Sequence, residues 1–347
     1  MAKVTIIGNK VKEINSNTKI FPQYLMEIFP GRIKNIINLL PWDILNGIEE
    51  IRLRLDRPIT FVTEKGDLTV TDGQEITAQV ELGSIFSQED MEKILHKISQ
   101  SSIYAWEEEF KRGYLTIRGG HRIGFTGKIL LDKGFIRTMK EISALNIRIA
   151  KEIIGVADKV LPYIIDKEGM VRHTLIVSPP QCGKTTLLRD LIRQLSNGIP
   201  VLKVDGANVG LVDERSEIAG VFQGIPQFNV GLRTDVLDGC PKAQGMIMLV
   251  RSMSPRIIAT DEIGTYDDIC AIEEVLNAGI SLITTVHAKD LAQLRQRPNL
   301  CKLISDRLFE RIIILSRTRG VGTIEDILEG AAFDSLINKS FGGRDIS

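Results

Sequence analysis

The sequence predicts an α/β domain with a mainly parallel sheet, preceded by an α+β domain. Three observations carry this. From about residue 157 onward, β-branched apolar runs alternate with longer amphipathic stretches in strand, loop, helix order, the grammar of a parallel sheet covered by helices. Before residue 155 the strand-like runs alternate apolar with polar residues and are separated by glycine-containing turns. The length, 347 residues, accommodates two ordinary domains. The expected division is 1–155 for the first domain, 156–330 for the second, and a flexible tail over 331–347.

Residues 1–20 are polar and irregular and predict a loosely packed start. Leu25, Ile28 and Phe29, then Ile33, Ile36, Ile37 and Leu40, keep a helical rhythm with a break at Pro30-Gly31. Ile51, Leu53 and Leu55 alternate with Arg52, Arg54 and Asp56, which predicts a half-buried strand. Further strands are expected at 59–62 and 68–70, around a Lys65-Gly66-Asp67 turn. Ser87 followed by Asp90 reads as a capping box opening a helix whose face is Ile94, Leu95 and Ile98. Residues 113–131 are rich in strand formers and glycine.

Apolar residues make up 43% and charged residues 25%, a globular balance. Lys plus Arg (44) equals Asp plus Glu (44), so there is no chain-wide basic field for nucleic acid, and aromatics at 5% offer few stacking platforms. Cys182, Cys240, Cys270 and Cys301 form no C-x-x-C pair, and His96, His121, His173 and His287 show no ligand spacing, so neither a disulfide framework nor a structural metal is expected. No apolar run approaches the roughly 20 residues of a membrane helix, and the start lacks a signal-peptide pattern. Work at a membrane would therefore require recruitment by something else.

The chemistry concentrates in the second domain. The run 173–177 (HTLIV) predicts a strand. It leads into Ser178, Pro179, Pro180, Gln181, Cys182, Gly183, Lys184, Thr185 and Thr186, and then into a helix with the stripe Leu187, Leu188, Leu191, Ile192 and Leu195. Strand, loop ending in Gly-Lys-Thr, helix is the setting of a nucleotide phosphate loop. Backbone N–H groups and the helix N-terminus attract anions there, the lysine reaches outer phosphates, and the threonine hydroxyl suits Mg²⁺. Ser178 stands at the loop's usual first glycine. If that position needs positive φ, serine adopts it at some cost.

A second strand, 256–260, ends in Asp261-Glu262. Such a strand is expected beside the loop strand, its Asp positioning Mg²⁺ and its Glu polarising water. The bland alternative is an acidic cap for a helix starting near Tyr266. A third strand, 209–212, ends in Asp213-Glu214-Arg215-Ser216-Glu217. From the residues alone, crevice-facing acids and a surface salt-bridge cluster are equally open. A fourth, 280–286, delivers His287, with Thr285 on the same side of the strand, where the pair would be able to sense a γ-phosphate. Arg118, Arg122, Arg137, Arg148, Arg233 and Arg251 are candidates for a cation acting on a neighbouring subunit, and sequence does not choose among them.

Together these residues resemble the secretion-type ATPases of type II and type IV systems, whose catalytic domain is RecA-like. Closer still, 178–190 (SPPQCGKTTLLRD), 212–220 (VDERSEIAG), 259–264 (ATDEIG) and 284–288 (TTVHA) resemble the stage III sporulation protein AA family, as do 50–54 (EIRLR) and 119–124 (GGHRIG). The resemblance runs from about residue 20 to 330, and Gln181 stands where that family commonly has Gly. It implies a hexameric ring ATPase, also grouped here with the AAA class, using ATP and Mg²⁺ in the mother cell of a spore-former. It would sit on the cytoplasmic side of a channel to the forespore, recruited by membrane proteins, with ATP between the two domains and hydrolysis coupled to their motion. By position, Lys184, Thr185 and Thr186 hold phosphate and Mg²⁺, and Asp261 supports the metal. Glu262 is the general base, Asp213 and Glu214 form an acidic box, and His287 belongs to a histidine box. A nucleic-acid-stimulated RecA-like ATPase and a nucleotide-binding scaffold without turnover are the rivals.

Overall fold

The computed structural model describes residues 21–99 and 107–339. The loose start expected over 1–20 and the last part of the expected tail, 340–347, lie outside the described residues. The chain separates into two compact units, Met1–Ile149 and Ala150–Ser347.

The first unit opens with helices Gln23–Ile28 and Gly31–Asn38, and Pro30 caps the second, so the break falls at the residue without a donor. A further short helix, Trp42–Gly47, has no buried side chain and left no periodic signal. A seven-stranded sheet follows, built from β1 (Ile48–Arg54), β2 (Thr60–Thr63), β3 (Gly66–Val70), β4 (Ile76–Thr77), β5 (Tyr114–Thr116), β6 (Arg122–Asp132) and β7 (Phe135–Arg148). Its order is β4-β3-β2-β1-β7-β6-β5 and every pairing is antiparallel. Alternation settles which face is covered. Ile51, Leu53, Ile123, Leu145 and Ile147 are buried with Leu25, Phe29, Ile33 and Ile37 of the helices. Helix Gln88–Ser99 begins as a half capping box. Ser87 accepts the Asp90 N–H, but the Asp90 carboxylate takes the Ser87 hydroxyl and Arg32 rather than the Ser87 N–H.

The second unit holds β8 (Thr174–Ser178), β9 (Val209–Asp213), β10 (Thr234–Asp238), β11 (Ile257–Thr260), β12 (Ser281–His287), β13 (Arg311–Ser316) and β14 (Thr323–Glu329). Their order is β10-β9-β11-β12-β8-β13-β14, parallel except for the edge pair β13–β14. The acidic-ended strand β11 therefore does not lie beside the loop strand β8, as the sequence led us to expect. β12 sits between them, with Thr260 opposite Thr284 and His287 opposite Ser178.

Strands β8, β9 and β11 are buried along their whole length, which explains their uninterrupted apolar runs. Their alternation sorts two cores. Ile176, Leu211, Ala259 and Ile283 face helix Lys184–Asn197. Leu175, Val212, Ile258 and Leu282 face helices Lys242–Ser252 and Tyr266–Asn277. The architecture is a mainly parallel sheet between helical layers. Beyond residue 331, helix Leu336–Lys339 lays Leu336 and Ile337 against the first of these cores.

Helix Lys242–Ser252 approaches β9 through Gly245, where an added Cβ would lie 2.6 Å from Val212 Cγ1. The β-branched Val212 has little freedom to yield. Gly245→Ala is thus expected to destabilise the second unit by about 1–3 kcal/mol, despite a helix propensity gain of about 1 kcal/mol. Urea denaturation measures the sign.

Candidate active site

The C-terminal ends of β8, β9, β11 and β12 converge on one edge of the parallel sheet, where such folds place ligands. β8 ends at Ser178, and residues 179–183 turn the chain into helix Lys184–Asn197. The left-handed positions in this turn are Gln181 (φ 58°) and Gly183 (φ 88°). Ser178 is the last extended strand residue, so the backbone cost expected there falls on Gln181, a residue with a Cβ. Gly183 is required twice over, because a Cβ on it would come within 3.3 Å of Gly322 Cα. The segment joining β13 to β14 braces the loop. Gly322 N–H donates to Cys182 O at 3.1 Å, and Arg317 reaches Gln181 Oε1 at 3.5 Å. Cys182 is buried in the loop wall, its Sγ 3.5 Å from Pro180 O.

Lys184, the first residue of the helix, is only 5% exposed. Burial pushes its pKa down, opposed by the charges of Asp261, Glu262 and Glu217. Its Nζ lies 2.9 Å from His287 Nδ1. An ammonium only donates, so the His287 proton belongs on Nε2, which lies 2.5 Å from Glu262 Oε1. Arg215 Nη1 holds the other oxygen, Oε2, at 3.2 Å. Glu262 itself has φ 49°, a strained conformation for a non-glycine residue, with its N–H given to Thr285 Oγ1 at 3.0 Å. The Thr285 hydroxyl donates in turn to Asp261 Oδ1. Thr185 Oγ1 donates to Asp261 Oδ2 at 3.2 Å. Burial raises the Asp261 pKa, and the Thr285 hydrogen bond lowers it.

The helix at Tyr266 is capped by Thr265, with Asp268 reciprocating, so Asp261 and Glu262 are not its cap. Thr185 Oγ1 and the Asp261 carboxylate are adjacent hard oxygen donors. They fit Mg²⁺ as one or two ligands of an ion completed by phosphate oxygens and water. No cluster of three or more His, Cys, Asp or Glu among the described residues forms a cation cage unaided.

The acidic segment after β9 divides its labour. Asp213 is buried and accepts the N–H groups of Glu217, Ile218 and Ala219. Glu214 pairs with Lys242 and has no hydrogen bond to the cluster around Lys184. Glu217, which the sequence did not single out, acts electrostatically on both Lys184 and Asp261. The signal for it was local: an Asp bonding the backbone N–H ahead of it fixes the turn that places Glu217. Arg189 was also missed. It is buried, donates to Ile218 O at 2.5 Å and Glu217 O at 2.6 Å, and lies 3.9 Å from the Phe228 ring centroid. It ties the phosphate-loop helix to the acidic turn.

Of the candidate arginines, Arg148 pairs with Glu50, Arg122 lies over Tyr114 and Arg118 over Tyr24, all within the first unit. Arg233 donates to Ser196 O.

This architecture is a RecA-like α/β fold. Two solved ATPases share the fold: DotB of Yersinia pseudotuberculosis (TM-score 0.55, 14% identity, 88% of this chain and 81% of that one) and DotB of Legionella pneumophila (0.51, 17%, 87% and 78%). Secretion ATPases of this kind are a class apart from AAA, which corrects that grouping. The family model "Sporulation stage III, protein AA" matches residues 22–332, and the chain belongs to that family. It is 42% identical over 309 residues to the stage III sporulation protein AA of Bacillus subtilis (strain 168), covering 88% of this chain and 94% of that protein.

Burial raises the Asp213 pKa to about 6, against an ordinary value of 3.8, outweighing its three backbone donors. The folded chain then binds the extra proton between those values, so stability falls as pH rises through that window and the penalty is complete above it. Asp213→Asn loses part of the acceptor set, worth about 1–3 kcal/mol, but carries no buried charge. The stability gap between wild type and Asp213→Asn is expected to be smaller at pH 8 than at pH 5 in urea denaturation.

Proposed function

We propose that the chain is a Mg²⁺-dependent ATPase that works as a ring motor, most simply a hexamer, for a secretion-like channel between mother cell and forespore. Membership of a sporulation family and likeness to secretion ATPases support the setting. The observation that carries the chemistry is the continuous chain of contacts Lys184–His287–Glu262, with Thr185 and Thr285 both on Asp261.

In this reading the backbone N–H groups of 181–186 cradle the phosphates of ATP, and Lys184 exchanges its His287 contact for the outer phosphate oxygens. Thr185 and Asp261 hold Mg²⁺, which when bound neutralises charge developing on those oxygens. Glu262 takes a proton from the attacking water at Oε1, the oxygen now facing His287. His287, released from Lys184, keeps its Nε2–H toward Glu262 Oε1 and so holds that carboxylate in place. Glu217 and Arg215 tune this charge balance, whereas Glu214 acts at a distance through Lys242. An arginine from a neighbouring subunit, among Arg118, Arg122, Arg137, Arg148, Arg233 and Arg251, is proposed to complete the site. Membrane proteins of the channel are the proposed partners, and motion between the two units the proposed output.

Two variants test this. Lys184→Ala should lose most nucleotide affinity and turnover. Glu262→Gln should bind Mg-ATP normally and hydrolyse it at least about 10²-fold more slowly. Phosphate release and calorimetric titration measure the two, and sedimentation with and without ATP reads assembly. Unchanged hydrolysis by Glu262→Gln removes that residue from its role, and saturable binding without turnover in the wild type would leave a scaffold.

A further inference from the structure

Sequence and site describe how phosphate would be handled, but not what the first unit touches. The hairpin of β6 and β7 is longer than the sheet that holds it. β1 pairs with β7 across Ala144 to Arg148, and β5 pairs with β6 across Arg122 to Gly124. From Lys128 to Lys140 the two strands pair only with each other, as a two-stranded ribbon. Its end is a two-residue turn, Lys133 (φ 49°) and Gly134 (φ 85°), of the tight kind that holds such ribbons together.

Cross-strand register gives the ribbon one apolar face. Ile129 lies opposite Met139, and Leu131 opposite Ile136, on the same side. Met139 is buried, but Leu131 is 64% exposed, Ile136 46% and Ile129 41%; Phe135, paired with Asp132 and so on the other side of the ribbon at its tip, is 79% exposed. Leu131 and Phe135, among the more exposed large apolar side chains described, thus flank a single turn. Single exposed apolar residues are ordinary, but Ile129, Leu131 and Ile136 together on one side, with Phe135 at the turn on the other, give the tip apolar side chains on both faces.

The charges beside them decide the occupant. Residues 127–142 carry Lys128, Lys133, Arg137 and Lys140 against Asp132 and Glu141, in a chain whose formal net charge is zero. Lys128 pairs with Glu141 at 3.4 Å, an exposed contact of little worth. A few apolar side chains ringed by cations match an anionic bilayer surface, which accepts the first among its acyl chains and the second at its headgroups. Four side chains offer on the order of a few hundred Å², below the roughly 800 Å² per partner of a stable protein interface. Insertion into lipid needs no shape complementarity and no spanning helix, and none of the helices described is long and apolar enough to cross a membrane.

We propose that the β6–β7 tip is a lipid-contacting hairpin, which seats Phe135 and Leu131 in the interface of an anionic membrane while Lys128, Lys133 and Lys140 meet its headgroups. This is independent of the reading of the phosphate-loop site. It adds a direct membrane contact to the recruitment by partners that the sequence suggested.

The test is sedimentation of the full chain with vesicles of phosphatidylcholine alone or mixed with phosphatidylglycerol. Binding is expected to the mixed vesicles and to weaken steeply with salt. Leu131→Ser with Phe135→Ser, and separately Lys128→Glu with Lys133→Glu, should each reduce it at least about tenfold. Circular dichroism and any basal hydrolysis should be unchanged, since these positions are exposed and remote in sequence from the loop. Failure to bind mixed vesicles, equal binding to neutral ones, or full binding by the serine pair overturns the proposal. A fall in the mass of the free protein in the serine pair, without a change in vesicle binding, also overturns it and makes the tip a contact between copies of the chain.

Discussion

Holding an ammonium almost out of water costs several kcal/mol unless anions are brought to it. In the second unit that group is Lys184, and much of the surrounding structure answers it. Helix Lys184–Asn197 presents the ammonium, β11 brings Asp261 and Glu262, β12 brings His287, and the turn after β9 brings Glu217. Two of these anions are themselves tied down: Asp261 by Thr185 and Thr285, Glu262 by His287 and Arg215. Water is displaced and the charges stay fixed, the arrangement in which a site can respond to one further anion without first reorganising.

The sheet order makes this possible. With β12 between β8 and β11, Thr285 stands midway between the loop helix and the acidic strand end and bonds to Asp261 and to the Glu262 N–H at once. Had β11 lain directly beside β8, that hydroxyl would have had no place between them. The same closeness explains why Glu262 tolerates a left-handed backbone: its N–H is claimed by Thr285, and both its carboxylate oxygens are held.

The second unit was largely legible from local signals. The strand, loop and helix around Lys184 announce themselves because backbone geometry and residue type are coupled there, and the buried parallel strands read as plain apolar runs. What stayed hidden depends on long-range placement. Nothing in DERSE says that Glu214 turns to Lys242, which lies 28 residues away in sequence. Nothing around Ser178 says that the left-handed turn falls at Gln181. The acid at Asp90 looked like a complete capping box because Arg32, its competing partner, lies 58 residues away in sequence. The ribbon beyond Lys128 alternates like any half-covered strand, and only the absence of a neighbouring strand there reveals that its apolar side faces outward.

The brace between Gly322 and the loop has a consequence for how the protein is made. Residue 183 is shaped against a segment 139 positions further along the chain, beyond β13. A nascent chain that has emerged only through β12 has its loop sequence, its acids and its histidine, yet lacks the backstop that fixes the turn at Cys182 and Gly183. The turn at Cys182 and Gly183 is therefore fixed only once the β13–β14 connection has folded against it.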